Sequence, residues 1–179
     1  MTDIDALRAS LAGKVSAPGD PGWDTARQAY NLSLDQRPDM VATPAGAEDV
    51  ARVVGFASQR GLRVAAQCTG HGASPLGDLG GTILLKTSAM TGVQIDAGRR
   101  RARVAGGARW QDVVPGASEL GLAALHGSSG TVGVAGYSLG GGIGWYVRKL
   151  GLQANSVTAV ELVTADGTLV RADADTEQP

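Results

Sequence analysis

Apolar positions along the chain switch between helical and strand spacing, and the switches mark out the elements. Ile4, Leu7 and Leu11 fall on one face of a short helix that should stop at Gly13. Met40-Val41-Ala42 is a compact apolar run ended by Pro44, which suits a strand. From Ala47 to Arg60, Val50, Val53, Val54 and Ala57 recur at helical spacing. Glu48 and Asp49 lie in the first turn, where negative charge favours the helix dipole, and Gly61 stands behind as a stop. Leu62 to Ala66 reads as the next strand, so 40–66 predicts a β-α-β unit. Thr82-Ile83-Leu84-Leu85 is a further strand. Val93-Gln94-Ile95 and Ala102-Arg103-Val104-Ala105 flank Asp96-Ala97-Gly98-Arg99, the pattern of a hairpin. Trp110 to Leu120 has a helical pattern that Pro115 should break or kink. Trp145 to Leu150 reads as one or two helical turns. Val157 to Val163 reads as a buried strand, which Asp166-Gly167 turns into Leu169-Val170-Arg171.

Segments between these elements are less regular. Ala17 to Gly22 is an irregular loop, 23–36 has no clear period, and Leu122 to Leu125 is short and apolar. Strands after residue 90 should pair with their sequence neighbours. The expected fold is therefore α+β in two lobes: a small β-α-β lobe and a mainly antiparallel sheet with helices. Asp173 to Pro179 is polar and leaves the last hairpin without an obvious neighbour, so the fold is read as truncated at the C-terminus.

Composition narrows the field. With 43% apolar and 18% charged residues over 179 positions, the chain is globular. A formal net charge of −1 favours neither nucleic acid nor an anionic membrane. One cysteine excludes an internal disulfide framework. Met1 to Asp5 is acidic rather than a basic lead into an apolar run, so a cytoplasmic location is expected. Glycine is the outlier at 27 residues, clustered at 70–81, 106–107 and 127–144 without a period of three. Backbone that dense in glycine suits a chain folded closely round a ligand.

The chemistry centres on Gln67-Cys68-Thr69-Gly70-His71-Gly72, which leaves the carboxyl end of a strand and sets a histidine between glycines. Such loops expose backbone N–H groups and are where α/β sheets tend to bind ligands. No Gly-x-Gly-x-x-Gly and no phosphate-binding Gly-Lys-Ser/Thr occurs, and two histidines with one cysteine lack metal-ligand spacing. The run Arg99-Arg100-Arg101 reads as a solvated hairpin tip. Gly136-Tyr137-Ser138-Leu139-Gly140 matches the nucleophile elbow of serine hydrolases. Both His71 and His126 precede Ser138, however, against the order that α/β-hydrolases use. A structural or cofactor-contacting hydroxyl is preferred at Ser138, with a serine hydrolase kept as a remote alternative.

Several stretches act together. They are Arg37-Pro38 through Pro44, Glu48-Asp49-Val50, the His71 loop, Gly106 to Val113, Gly130 to Trp145, and Val160 to Gly167. In this order they resemble the FAD-binding (PCMH-type) domain of the vanillyl-alcohol-oxidase superfamily, closest to its berberine-bridge-enzyme-like and hexose-oxidase-like members. The resemblance runs from Met40 to Arg171. It implies that 37–90 is a first FAD-binding lobe after a lead-in over 1–36, that 91–179 is an incomplete second lobe, and that the substrate domain is absent.

It also implies roles for single residues. Gln67, Cys68, Thr69, Gly70 and Gly72 would hold FAD through backbone amides, and His71 would carry a covalent bond to the flavin. Relatives often add a second bond from a cysteine at the position of Ser129; a hydroxyl is too weak a nucleophile, so a single tether is expected. Cys68 reads as a small buried side chain. Thr131, Val132, Gly136, Tyr137, Gly141, Gly142, Gly144 and Val163 complete the cofactor contacts. Val132 would gate oxygen, Tyr137 would lie near the flavin, and Val160 to Val163 would flank the adenine side. The implied activity is hydride transfer from an alcohol or amine C–H to FAD, with reoxidation by O2 giving H2O2. The expected partners are a small-molecule substrate, O2 and the rest of the same protein. The catalytic base is expected off this chain. The alternative is a non-catalytic FAD-binding module that needs a partner segment.

Overall fold

The computed structural model describes residues 3–175. They form two compact units: one comprises the described residues up to Ala89 and from Thr158 onward, the other Met90–Val157. Of the acidic start, Met1 and Thr2 lie outside the described residues, as do 176–179 of the polar tail.

The first unit opens with helix α1 (Asp3–Ser10), strand β1 (Lys14–Ser16) and the short helix α2 (Trp23–Ala26). Strand β2 (Met40–Thr43), helix α3 (Ala47–Gln59), β3 (Arg63–Gln67) and β4 (Thr82–Lys86) follow. The four strands make one sheet in the order β1-β2-β4-β3, with β4 parallel to both its neighbours and β1 antiparallel to β2. The anticipated β-α-β unit is there, but its strands do not touch: β4 fills the gap between them. Strand β1 has no counterpart in the sequence reading of the lead-in, because three residues are too few to carry a period.

Alternation along the strands sorts the core into two faces. Met40, Ala42, Ile83 and Leu85 pack with Leu7 of α1 and with Val53 and Ala57 of α3. Val41 and Leu84 point the other way and pack with Leu79, beside Trp23, Ala26 and Ala65. β4 is buried from Thr82 to Leu85, as a central parallel strand covered on both faces should be. Helix α3 ends where Gly61 stands, with the Leu62 N–H donating to the Ala57 carbonyl.

Strands β7 (Ala159–Val163) and β8 (Leu169–Asp173) form an antiparallel hairpin that belongs to this first unit, not to a second lobe over 91–179. It has a neighbour after all. Helix α3 packs against both strands, and the Gly167 turn comes so near that a Cβ there would lie 3.3 Å from the Ala51 carbonyl.

The second unit holds the hairpin of β5 (Val93–Asp96) and β6 (Arg101–Val104), then helices α4 (Trp110–Glu119), α5 (Val134–Leu139) and α6 (Val147–Leu150). Antiparallel pairing of sequence neighbours after residue 90 is found, but as two separate hairpins in different units. Helix α4 runs unbroken through Pro115. The ring removes one backbone donor, while Trp110, Val113 and Ala117 keep the buried face that holds the helix in place. Leu122 to Leu125 forms no strand.

One side chain ties the first unit together. The buried Asp49 carboxylate accepts N–H bonds from Ala12 at 3.0 Å, Gly13 at 2.8 Å and Ala45 at 2.9 Å. Burial pushes this carboxyl up, but the three backbone donors, with Arg52 beside it, outweigh burial and hold it below the usual carboxylate range. Its stabilisation is thus present above that range and is lost as pH falls through the lowered folded value. Asp49→Ala should cost about 3 kcal/mol in urea unfolding, because it strands three buried donors. The variant should also lose less stability than wild type on acidification below the usual carboxylate range. An unchanged unfolding midpoint would refute this role.

Candidate functional site

His71 lies four residues past the end of β3. Its Nδ1 is 2.7 Å from the Thr69 hydroxyl, and its Nε2 is buried with no hydrogen-bond partner. Burial lowers the imidazole's affinity for a proton, so the ring stays neutral below its ordinary titration range. The Tyr30 ring stacks on it with centroids 3.7 Å apart and planes 18° from parallel. Gly70, at φ +80°, turns the loop so tightly that a Cβ would fall 2.9 Å from Ala29 and 2.8 Å from the Gln67 side chain. Gln67 and Gln36 are buried, and both polar atoms of each amide lack a partner. Space beside Gly72 is open.

The wall of this site is the stretch that carried no sequence period. Arg27 gathers it by donating to Asp24, Asp35 and the Gln36 carbonyl. From the end of β4, Lys86 donates to the Gln28 carbonyl at 2.6 Å. Ala29 and Tyr30 are thereby laid against the His71 loop. Sequence reasoning missed both residues. The only signal available was a tyrosine in a segment without a period. Cys68, within this loop, is half-buried.

In the second unit the glycine-rich stretch folds round Tyr137. A Cβ on Gly144 would fall 2.2 Å from the His126 carbonyl and 2.7 Å from the Tyr137 hydroxyl. A Cβ on Gly142 would fall 2.6 Å from Gln153 and 2.9 Å from the Tyr137 ring. These two glycines are required by close approach to the protein's own side chains. Gly141 and Gly142 offer their carbonyls to the N–H groups of Ala154 and Gln153. Tyr137 meets Trp110 edge to face at 5.4 Å, and the Tyr137 hydroxyl and Trp110 Nε1 are both buried without a partner. Burial raises the phenol's titration point. The Ser129 and Thr131 hydroxyls bond each other at 2.9 Å. Val132 packs part-buried against the cluster of Trp110, Val113 and Val134. Gly136 faces open space on α5.

Ser138 is not on a strand-to-helix turn. It is buried inside α5, and its hydroxyl donates to the Val134 carbonyl at 2.7 Å, the ordinary resting place of a helical serine. Val163 ends β7, half-buried, in the first unit. Among the described residues no three His, Cys, Asp or Glu side chains gather as metal ligands, and no helix is long and apolar enough to cross a membrane.

Comparison with known proteins gives this geometry a context. Residues 38–173 match the family model described as FAD binding domain. Over 170 residues the chain is 34% identical to (R)-6-hydroxynicotine oxidase of Paenarthrobacter nicotinovorans, covering 95% of this chain and 37% of that protein. The structure of Physcomitrella patens BBE-like 1 superposes with a TM-score of 0.89 at 29% identity, over 98% of this chain and 38% of that one. Glucooligosaccharide oxidase from Acremonium strictum, whose FAD is described as 6-S-cysteinyl, 8α-N1-histidyl, superposes with a TM-score of 0.82 at 29% identity, over 96% and 37%. The chain thus spans a little over a third of the length of these relatives. The neighbours are FAD oxidases of the PCMH type, and the α+β fold class expected from sequence holds.

The crowding round Tyr137 can be tested without a ligand. Gly144→Ala should destabilise the protein by about 3 kcal/mol, since a backbone carbonyl must move to admit the methyl group. Gly136→Ala, in open space within α5, should leave stability unchanged or raise it by up to about 1 kcal/mol. Equal thermal shifts for the two variants would count against this packing.

Proposed function

Given that the chain belongs to the FAD binding domain family, we propose that it forms the flavin-binding part of an oxidase in which FAD is tethered through His71. One observation carries the reading: His71, whose Nε2 no group of the protein pairs, stands in a glycine-flanked loop that leaves the carboxyl end of the parallel strand β3, where such sheets bind ligands. The partnerless amides of Gln67 and Gln36 fit a bound dinucleotide, because each offers a donor and an acceptor that nothing in the protein takes up. In the second unit, Trp110 Nε1 is a donor and the Tyr137 hydroxyl a donor or acceptor that nothing in the protein takes up.

The residues divide the work. Gln67 to Gly72 hold phosphate oxygens through backbone amides, and His71 keeps the cofactor from dissociating between half-reactions. Val160 to Val163 flank the adenine side. Tyr137, with its neighbours Gly141, Gly142 and Gly144, shapes the wall nearest the isoalloxazine, and Gly136 and Thr131 leave it room. Val132, small and part-buried, leaves oxygen a path. When bound, the isoalloxazine accepts a hydride from an alcohol or amine C–H of a small substrate and passes the electrons to O2, releasing H2O2. The substrate pocket and the catalytic base lie on further protein, and the exposed run of Leu139, Ile143 and Trp145 suits contact with it.

Mass spectrometry of the denatured protein tests the tether. An FAD-sized adduct should map to the His71 peptide and none to the Ser129 peptide, and His71→Ala should lose it. Protein isolated from flavin-replete cells without any adduct would overturn the tether. Peroxide release in the full native protein, scanned over alcohols and amines, separates an oxidase from a non-catalytic binding module.

A further inference from the structure

We propose that residues 27–36 are a strap closed over the His71 loop, and that the strap lifts to let a group as large as a flavin reach the imidazole. The inference rests on the flavin site argued above and holds whichever ring nitrogen the flavin meets.

The ring is covered from several sides. One face lies under Tyr30, with centroids 3.7 Å apart and planes 18° from parallel. The Thr69 hydroxyl engages Nδ1 at 2.7 Å, and Nε2 is buried. One residue earlier, Gly70 lies so close to Ala29 that a Cβ would fall 2.9 Å from it. Ala29 and Tyr30 both belong to the strap, so lifting it removes both contacts together.

The strap is anchored at its ends and lightly held between them. Before it, Trp23 and Ala26 of α2 pack beside Val41 and Leu84. After it, the Asp39 N–H donates to the Thr82 carbonyl at 3.0 Å, and the Asp39 carboxylate accepts from the Gly81 N–H at 3.0 Å. Its middle turns on itself: the Leu34 N–H donates to the Asn31 carbonyl, and the Asn31 side chain accepts from the Ser33 N–H and hydroxyl. Tyr30 is 60% exposed and Leu32 73%, so closing the strap takes little apolar surface out of water. Closure also buries both polar atoms of the Gln36 amide without a partner, which works against it.

What holds the strap down is polar. Arg27, at its start, donates to Asp24 at 2.9 Å, to the Gln36 carbonyl at 2.7 Å and to Asp35, which fastens one end of the strap to the other. Asp35 is shared with Arg37. Lys86 donates to the Gln28 carbonyl at 2.6 Å. It stands opposite Gln67 in the register of β3 and β4, so this bond pins the strap at the foot of the His71 loop. The Asp35 and Arg37 side chains are exposed, and ion pairs in such a setting are weak and screened by salt. Little apolar burial, an unpaired amide and exposed ion pairs mark a segment that opens locally while the sheet beneath stays folded.

The test follows the His71 ring itself, in the full native protein produced without flavin. Acylation by diethyl pyrocarbonate, which needs an uncovered imidazole, is mapped to the His71 peptide by mass spectrometry, and FAD uptake is timed in parallel by flavin fluorescence. Asp35→Asn removes the ion pair at constant shape and should raise both rates roughly threefold, the worth of one exposed pair. Lys86→Met, which releases the Gln28 carbonyl, should act in the same direction. Added salt should speed acylation in the wild type, and less so in Asp35→Asn. Wild-type acylation rates in both variants would overturn the strap. Faster acylation with unchanged or slower FAD uptake would overturn its role as a gate, since the flavin would then enter another way. Faster acylation in the variants with no FAD uptake by any of the proteins would uphold the strap and overturn the flavin site it was argued to guard.

Discussion

The first unit depends on a single saturated carboxylate. Asp49 stands in the first turn of α3, yet its oxygens serve the N–H groups of Ala12 and Gly13, some thirty-six residues upstream, as well as Ala45 just before the helix. Gly13 fits there only because it has no side chain: a Cβ would meet the Thr43 carbonyl at 2.1 Å. One anion therefore fixes the turn from α1 into β1 against the turn from β2 into α3. With both turns fixed, β1 and β2 pair in register, and α1 and α3 meet over the same sheet face. The sequence offers Asp49 only as a dipole partner. Its larger role depends on two amides that approach from outside its own helix.

From this anchor the sheet decides where chemistry can happen. Both β2 and β3 run parallel to β4, so the loops after β3 and β4 leave from the same edge. The His71 loop is one of them, and Lys86 at the end of the other pulls Gln28 down beside it. The lead-in then has no choice but to cross the loop. Arg27, bonded at once to two carboxylates and a carbonyl, keeps that crossing compact enough for Ala29 to touch Gly70 and Tyr30 to cover His71. The site thus draws on a buried carboxylate, three parallel strands and an ion-pair cluster, none of which contains His71.

Sequence periodicity carried the elements but not their neighbours. Val50, Val53 and Ala57 revealed α3, and the short apolar runs Met40–Ala42 and Ile83–Leu85 revealed buried strands, because each signal is local. Insertion of β4 between β2 and β3 is not local, and neither is the return of Gly167 to α3 some 115 residues behind it. Pro115 misled for a related reason. Its local cost is real, but the buried face of Trp110, Val113 and Ala117 overrides it. Glycines show a further non-local demand: at Gly142 and Gly144 a Cβ would meet Gln153, Tyr137 and the His126 carbonyl, contacts that no local pattern announces. What remained legible was the His71 loop itself, since a glycine-flanked histidine after a strand needs no distant partner to be noticed.

The partnerless polar atoms give the last step. Gln36, Gln67 and His71 in one unit, and Trp110 and Tyr137 in the other, bury donors and acceptors that the protein leaves unpaired. Each such group costs about 1–3 kcal/mol relative to a satisfied one, a large burden for a fold of marginal stability. A bound ligand that paired those of the first unit would return that free energy to the folded state, and only while it is bound. A reversible cofactor would let that unit loosen whenever it left. The covalent bond proposed at His71 would remove that excursion, because the ligand's effective concentration would no longer depend on the solution. Such a tether would then have a structural consequence separate from any effect on electron transfer: it would keep the poorly satisfied amides of Gln36 and Gln67 paired.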